Sequence, residues 1–512
     1  MDLTEAVRFT KYDFRSSFLS TLHDWDLFER GGAVRLRSLE TRLENYRASL
    51  LRCVTVPKSS IFSRPGALPS IDDWIVYTGT VVSIARRIEP NLIAQDQGVL
   101  FSFRWSEDEP IRTFRSKHLP YQEYRRKSVE LSHRYPIILE TDIASFFEHV
   151  DLQKLRSTLA RLGADPVDLD FLFDRLLPHW THESGRGIPQ GPWASSYIAN
   201  ALLDSIDKAM LQYGYSFIRY VDDMRVFCDD RVAAKRAVLR LTELVRELGL
   251  TLQTSKTRIL LPEKARTKWR GFEDVLGGLE EEVAQELSQL FTFYGEYFDN
   301  PEEHEQAHLS AVALQALERL FETITETPAE NLDRTGFRFV LNRLAASESN
   351  LAVPYCLNNL AELPDLAPEC ANYLGRFSAD LGMQRQVADF VTSNGCIYDW
   401  QAMHLVAALV DSREACAELI NFCSRVAADR NRHFALRSVC IDLISRHGAY
   451  HQIQELRRRF AEDPIEEVRA SIVLASARLE AAERGTFLRA CRGISPTLDA
   501  AIQIALVGPA IG

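Results

Sequence analysis

No apolar run in this 512-residue chain approaches the length of a membrane span. The N-terminus, Met-Asp-Leu-Thr-Glu-Ala-Val-Arg, has no apolar stretch of the kind that opens a signal segment. Cysteine is sparse and odd in number, nine in all, and none forms a Cys-x-x-Cys pair. That argues against a zinc site and a disulfide framework, and for a reducing cytoplasm without membrane attachment. No low-complexity linker breaks the chain. What remains is ordinary for a globular protein: 46% apolar and 26% charged residues, with a length that suggests two or more domains.

The net charge of −11 argues at first against a nucleic-acid partner. Its distribution reverses that reading. Residues 1–270 carry 40 Lys and Arg against 35 Asp and Glu, whereas the remainder carries 20 against 36. A basic half joined to an acidic half points to a nucleic-acid surface on one part only.

The pattern of elements also changes near the middle. Residues 1–60 read mainly as helix, with Phe14, Phe18 and Leu22 at helical spacing. Residues 61–135 are mixed and Pro-interrupted, with a strand-like Val99–Phe103. Residues 136–260 alternate: a strand Ile137–Glu140, a helix Phe147–Leu162, a helix Tyr197–Leu211, two strands around Asp222, and a helix Val232–Leu248 stopped by Gly249. This is an α+β arrangement of helices over an antiparallel sheet. From about residue 265 helices alone follow, among them His308–Thr325, Gly336–Ala346, Ala402–Val410, Cys416–Ala427, Phe434–Arg446, Gln452–Phe460 and Glu467–Leu479. Helix pairs recur at a loose spacing in the thirties to forties of residues, as in an α-solenoid of HEAT-like type, with an irregular bundle as the alternative. The expected domains are 1–265 and 266–512.

Chemistry concentrates at Tyr220-Val221-Asp222-Asp223. Apolar, β-prone residues on both sides read as two strands meeting at a tight turn. Paired carboxylates there are costly unless a cation neutralises them, and a hard, oxygen-loving magnesium ion fits best. The alternative is an exposed hairpin turn in which Asp bonds its own backbone. A second acidic position, Asp142, ends the strand before Ile143-Ala144-Ser145-Phe146-Phe147. Three carboxylates from two strands can hold two magnesium ions. Between these sites lies Gly187-Ile188-Pro189-Gln190-Gly191-Pro192, a loop whose glycines permit close approach to a nucleotide, ahead of a helix whose N-terminus favours phosphate.

Asp142-Ile143-Ala144-Ser145-Phe146-Phe147, Gly187-Ile188-Pro189-Gln190-Gly191, Tyr220-Val221-Asp222-Asp223 and Gly249-Leu250-Thr251-Leu252 with Lys256 resemble, in order and spacing, the palm motifs A to D of reverse transcriptases. The resemblance covers roughly residues 90–260 and implies a right-hand polymerase with fingers and palm. It implies Asp142, Asp222 and Asp223 as metal carboxylates, with the carbonyl of Ile143 as a further ligand and manganese as an alternative ion. Phe147 would exclude a 2′-hydroxyl, making dNTPs the substrates; Gln190 and Gly191 would meet the incoming nucleotide. Tyr220 would pack near the primer end, and Lys256 would lie by the triphosphate and protonate pyrophosphate. Arg104 and Arg112 are candidates for triphosphate contact.

After Lys256 no thumb, RNase H or endonuclease segment is recognisable. In that respect the chain resembles the bacterial abortive-infection reverse transcriptases of prophage-encoded type. That resemblance implies antiphage defence, homo-oligomers, and template-independent synthesis of single-stranded DNA attached to a priming tyrosine. Tyr12, Tyr46, Tyr294 and Tyr297 lie outside the motifs, and no one of them stands out. Two other functions compete: a templated RNA-directed DNA polymerase of retron or intron kind, and a non-catalytic helical-repeat scaffold.

Overall fold

The computed structural model describes residues 1–16, 24–106, 118–181, 185–269, 275–280, 283 and 301–507. Phe18, Leu22, Arg112, Tyr294 and Tyr297 lie outside them. The chain forms two compact units. One comprises Met1–Ser20, Gly32–Cys53 and Gly66–Trp269; the other comprises Thr21–Gly31, Val54–Pro65 and Arg270–Gly512.

The named elements up to residue 269 are α1 (Leu3–Ser16), α2 (Asp24–Arg42), β1 (Arg52–Pro57), β2 (Ser63–Leu68), α3 (Ile71–Ile88), α4 (His118–Ser132), β3 (Ile137–Thr141), α5 (Phe146–His149), α6 (Leu152–Arg161), α7 (Pro166–Asp170), α8 (Trp193–Gln212), β4 (Ser216–Tyr220), β5 (Asp223–Cys228), α9 (Arg231–Glu247), β6 (Arg258–Leu260) and α10 (Pro262–Trp269). The sheet that matters runs in the order β4-β5-β3-β6. All its pairings are antiparallel: Tyr220 faces Asp223 across the first, Thr141 faces Met224 across the second, and Glu140 faces Arg258 across the third.

Period-two alternation divides the sheet's side chains between two faces. Ile138, Ile218 and Phe227 lie on one face, where they form a buried cluster with Tyr124 and Leu131 of α4 and with Ala265 and Trp269 of α10. Burying each such side chain contributes about 1.5–3 kcal/mol. Helices α8 and α9 pack on the strands as well, α9 against β3 and β5 and α8 against β4. Helix α9 is held at both ends: the Asp230 side chain accepts from Ala233 N–H at 2.7 Å, and Gly249 stops the helix at a φ of +77°.

Several expectations need correction. The helix expected over Phe147–Leu162 is two helices, because Asp151 turns the chain and caps a new start by accepting from Gln153 and Lys154 N–H. Val99–Phe103 is no strand: it touches β4 through one parallel bridge, Leu100 to Arg219, before Phe103 takes a φ of +42°. The apolar helix α3 and the short strand β6 went unread in the sequence. Helix α10 spans the expected boundary at 265/266.

In the second unit the described residues from 275 onward form helices and no strand. Helix Pro301–Thr325 packs on Arg334–Ala346, that on Ala367–Gly375, then Asp399–Ala407, Phe434–His447, Glu466–Ala475 and Pro496–Val507 in turn. A second row runs Val353–Asn359, Leu381–Thr392, Ala417–Ala428 and Tyr450–Arg459. From Arg334–Ala346 onward each helix of a row rests on the next but one. Among the described residues no helix is long and apolar enough to cross a membrane.

Candidate active site

Strand β3 delivers Asp142 one residue past its end, and the β4–β5 hairpin delivers Asp222 and Asp223 beside it. The hairpin loop is only Val221-Asp222. Val221 sits at a φ of +53°, an outlier for a β-branched residue. Asp142 is buried, Asp222 half-buried and Asp223 exposed at the rim.

The electrostatics are those of crowded carboxylates. Burial pushes the Asp222 carboxyl up to about 8, assisted by the charge and close contact of Asp142 and by Asp223. Although Asp223 is exposed at its rim, desolvation of its carboxyl end and the Asp142 charge also raise it. Lys256 Nζ donates to Oδ2 of Asp142. Burial opposes its charge, but the bond to Asp142 more than offsets that, leaving the ammonium raised. No donor reaches the buried Oδ1 of Asp142 among the described residues.

An orphaned carboxylate oxygen beside two further carboxylates fits a hard divalent cation, which takes oxygen ligands. Among the described residues, however, no group of three His, Cys, Asp or Glu side chains is gathered closely enough to hold an ion. Lys256 pairs with Asp142 through Oδ2 and so neutralises that carboxylate in this structure. The bridge between Ile143 and Leu252 uses the carbonyl of Asp142 and the N–H of Ala144. The Ile143 carbonyl therefore points away from that strand.

The glycine loop docks on the segment after Asp142 through backbone. Gly187 N–H donates to Val150 O at 2.8 Å and Ile188 N–H to Phe147 O at 2.9 Å. Gly187 holds a φ of +95°, and a Cβ there would stand 3.3 Å from Glu148 O. Phe147 is half-buried, its ring centroid 5.6 Å from that of Phe146. Gln190 and Gly191 are half-buried, and Gln190 O accepts from Ala67 N–H at 3.1 Å. Asp13 of α1 accepts from Trp193 N–H at 2.9 Å, just past the loop.

Tyr220 enters an aromatic cluster. Its ring lies 5.3 Å edge-on from Tyr121, 5.8 Å from Tyr124 and 6.5 Å from Phe103. Burial pushes its hydroxyl up to about 12. Further along the same face Arg225 is clasped between Tyr124 and Trp269, at 4.3 and 4.1 Å from their centroids. Glu140 accepts from Trp269 Nε1 at 2.7 Å. Helices α4 and α10 thereby fill the sheet face next to the carboxylates.

Arg104 has another task than the one expected. Its buried guanidinium binds Glu89 at 2.6 Å and the Ile93 carbonyl at 2.8 Å, and reaching a triphosphate would break both bonds. Tyr46 is likewise committed, its hydroxyl donating to Asp73 at 2.7 Å, whereas Tyr12 is exposed.

Sequence reasoning missed what lies behind the turn. Arg219 is fully buried and binds Asp207 through Nε at 2.7 Å and Nη2 at 2.5 Å. Its signal was present: a guanidinium inside an apolar strand, and Asn200 and Asp207 seven apart on an apolar helix.

Residues 82–287 match the family model described as reverse transcriptase (RNA-dependent DNA polymerase). The chain is 26% identical over 144 residues to the Retron Mx65 reverse transcriptase of Myxococcus xanthus, covering 24% of this chain and 33% of that protein. The chain thus spans about a third of the length of the curated relative it matches. Similar solved structures include telomerase from Candida albicans with a fragment of telomeric RNA, at 12% identity and a TM-score of 0.32 over 69% of this chain and 65% of that one. Apo telomerase from Candida tropicalis follows at 10% identity and a TM-score of 0.31, over 69% of each chain. The segment that carries Asp142, the glycine loop and the acidic turn thus lies within the match to the reverse transcriptase family model.

Proposed function

We propose that this chain is a magnesium-dependent DNA polymerase that joins dNTPs without a template, primed from one of its own tyrosines, and serves abortive-infection defence as a homo-oligomer in the cytoplasm. The observation that carries the chemistry is the convergence of Asp142, Asp222 and Asp223 at one end of an antiparallel sheet, with the glycine loop bonded to the Asp142 segment. Two divalent ions held by these carboxylates and the Ile143 carbonyl, magnesium or manganese, would supply activation of the attacking hydroxyl and neutralisation of the leaving pyrophosphate.

The protein's own groups do the rest. Lys256, bonded to Asp142 in this structure, would supply the proton that the leaving pyrophosphate takes up. Phe147 bounds the sugar position, Gln190 and Gly191 line the nucleotide, and Tyr220 abuts the primer end. The filled face beyond the carboxylates, closed by Tyr124, Arg225 and Trp269, supports synthesis on a single strand rather than along a duplex. The two rows of helices after residue 300, one with starts at 334, 367, 399, 434 and 466 and the other at 353, 381, 417 and 450, support a HEAT-like solenoid.

Templated RNA-directed synthesis is the second reading, favoured by the retron relative. Purified protein with magnesium and dNTPs, but no added nucleic acid, separates the two. Labelled product that stays with the denatured protein and is lost in Asp222→Asn supports the first. Product only on addition of an RNA template supports the second. Incorporation undiminished in Asp222→Asn would refute both.

A further inference from the structure

Val221 is the least comfortable residue of the site. It is β-branched, left-handed, and one residue from Asp222. Both of its backbone groups are bound by side chains from elsewhere. Its N–H donates to Ser102 Oγ at 2.9 Å, and its carbonyl accepts from Arg219 Nη1 at 2.8 Å. Arg219 is fixed in turn by α8. Asp207 takes its Nε and Nη2, and Asn200 Oδ1 takes Nη1 at 2.8 Å. Asn200 also donates to the Ser102 carbonyl at 2.8 Å, which closes the ring. All four side chains are buried. A buried ion pair is weak evidence for stability and better attested as a device for specifying one arrangement.

We infer that Arg219, gripped by Asp207 and Asn200 and joined by Ser102, is a positioning residue that holds Val221 left-handed so that the Asp222 carboxyl is presented beside Asp142. The inference rests on the reading of Asp222 as a metal carboxylate. It also joins two parts of the site. Helix α8 opens directly after the glycine loop, so the loop and the acidic turn are mounted on one helix.

The mechanism makes a specific demand. Glycine adopts the left-handed region without steric cost, so a turn with glycine at 221 needs the clamp less. Arg219→Lys keeps the charge opposite Asp207 but loses the fork that reaches Val221. The full-length protein, Arg219→Lys, Val221→Gly and the double variant are compared by backbone hydrogen exchange over residues 217–226 without metal, and by manganese binding. Asp222→Asn is the reference for the metal site.

Arg219→Lys is expected to exchange at least about tenfold faster across the turn and to bind manganese about tenfold more weakly. The double variant should recover to within about threefold of the parent in manganese binding. Unchanged exchange in Arg219→Lys overturns the clamp, and a double variant that binds no better than Arg219→Lys makes the network merely structural. If Asp222→Asn binds manganese like the parent, the metal reading fails while exchange still decides the clamp. Should Arg219→Lys not fold, Asn200→Ala leaves the ion pair intact and is held to the same two readouts, with and without Val221→Gly.

Discussion

At the proposed metal site, the raised carboxyl of Asp222 would make cation binding a proton-releasing event. Burial and the neighbouring Asp142 push the Asp222 carboxyl up to about 8, which favours its protonated form at neutral pH, and a cation bound there would displace that proton. The folded value lies above the ordinary 3.8, so the folded chain binds this proton more tightly than the unfolded chain. The sign follows: this group's contribution to stability is full below about 3.8 and is lost as pH rises through about 8. Metal acts in the opposite sense, favouring the charged form that only high pH supplies. Apparent affinity should therefore rise about tenfold per pH unit up to 8 and then level off. At pH 6.5, 1.5 units below that value, affinity should be about thirtyfold below its plateau. Titration calorimetry in two buffers of different ionisation enthalpy, at pH 6.5 and 8.5, measures both the affinity and the protons released. About one proton per metal-bound site is expected at the lower pH and far less at the higher. Asp222→Asn, which has no proton to lose, should flatten the profile and raise the metal-free melting temperature at pH 8 by removing the repulsion with Asp142. An affinity that changes less than about twofold between pH 6.5 and 8.5, or the same slope in Asp222→Asn, would refute the reasoning.

Two further outcomes follow from the loop and the gate. Gly187→Ala forces a side chain into a left-handed backbone and against Glu148 O, a cost of about 1–2 kcal/mol borne by the docked loop. KM for dNTP should rise roughly tenfold in steady-state incorporation with little change in melting temperature, and an unchanged KM counts against the loop as nucleotide site. Phe147→Ala should cut the preference for dNTP over rNTP by at least about tenfold in single-nucleotide incorporation, whereas an unaltered ratio removes Phe147 as the gate.

Much of the site was legible because its signals are local. The strand-turn-strand around Asp222, the Asp142 position after a buried strand, and the glycine loop before α8 each depend on a handful of consecutive residues. The C-terminal helices were legible for the same reason, their apolar periodicity being read without knowledge of neighbours. Misreadings came where a local signal had two outcomes. Asp151 could continue a helix or cap a new one, and it caps. Arg104 could face phosphate or be a surface charge, and it does neither: it is buried, and Glu89 and the Ile93 carbonyl take it, because a buried guanidinium does not remain unpaired.

The amino-acid sequence by itself therefore determined which residues are candidates for the chemistry and in what order: Asp142 with Phe147 after it, the glycine loop, and the Asp222-Asp223 turn. Tertiary structure alone decided what those residues are held by. Lys256 meets Asp142 across 114 positions, Trp269 meets Glu140 across 129, and Ser102 meets Val221 across 119. Such pairings depend on how α4, α8 and α10 stack on the sheet, and that stacking is set by the summed burial of many apolar side chains, none of which marks its partner in the sequence.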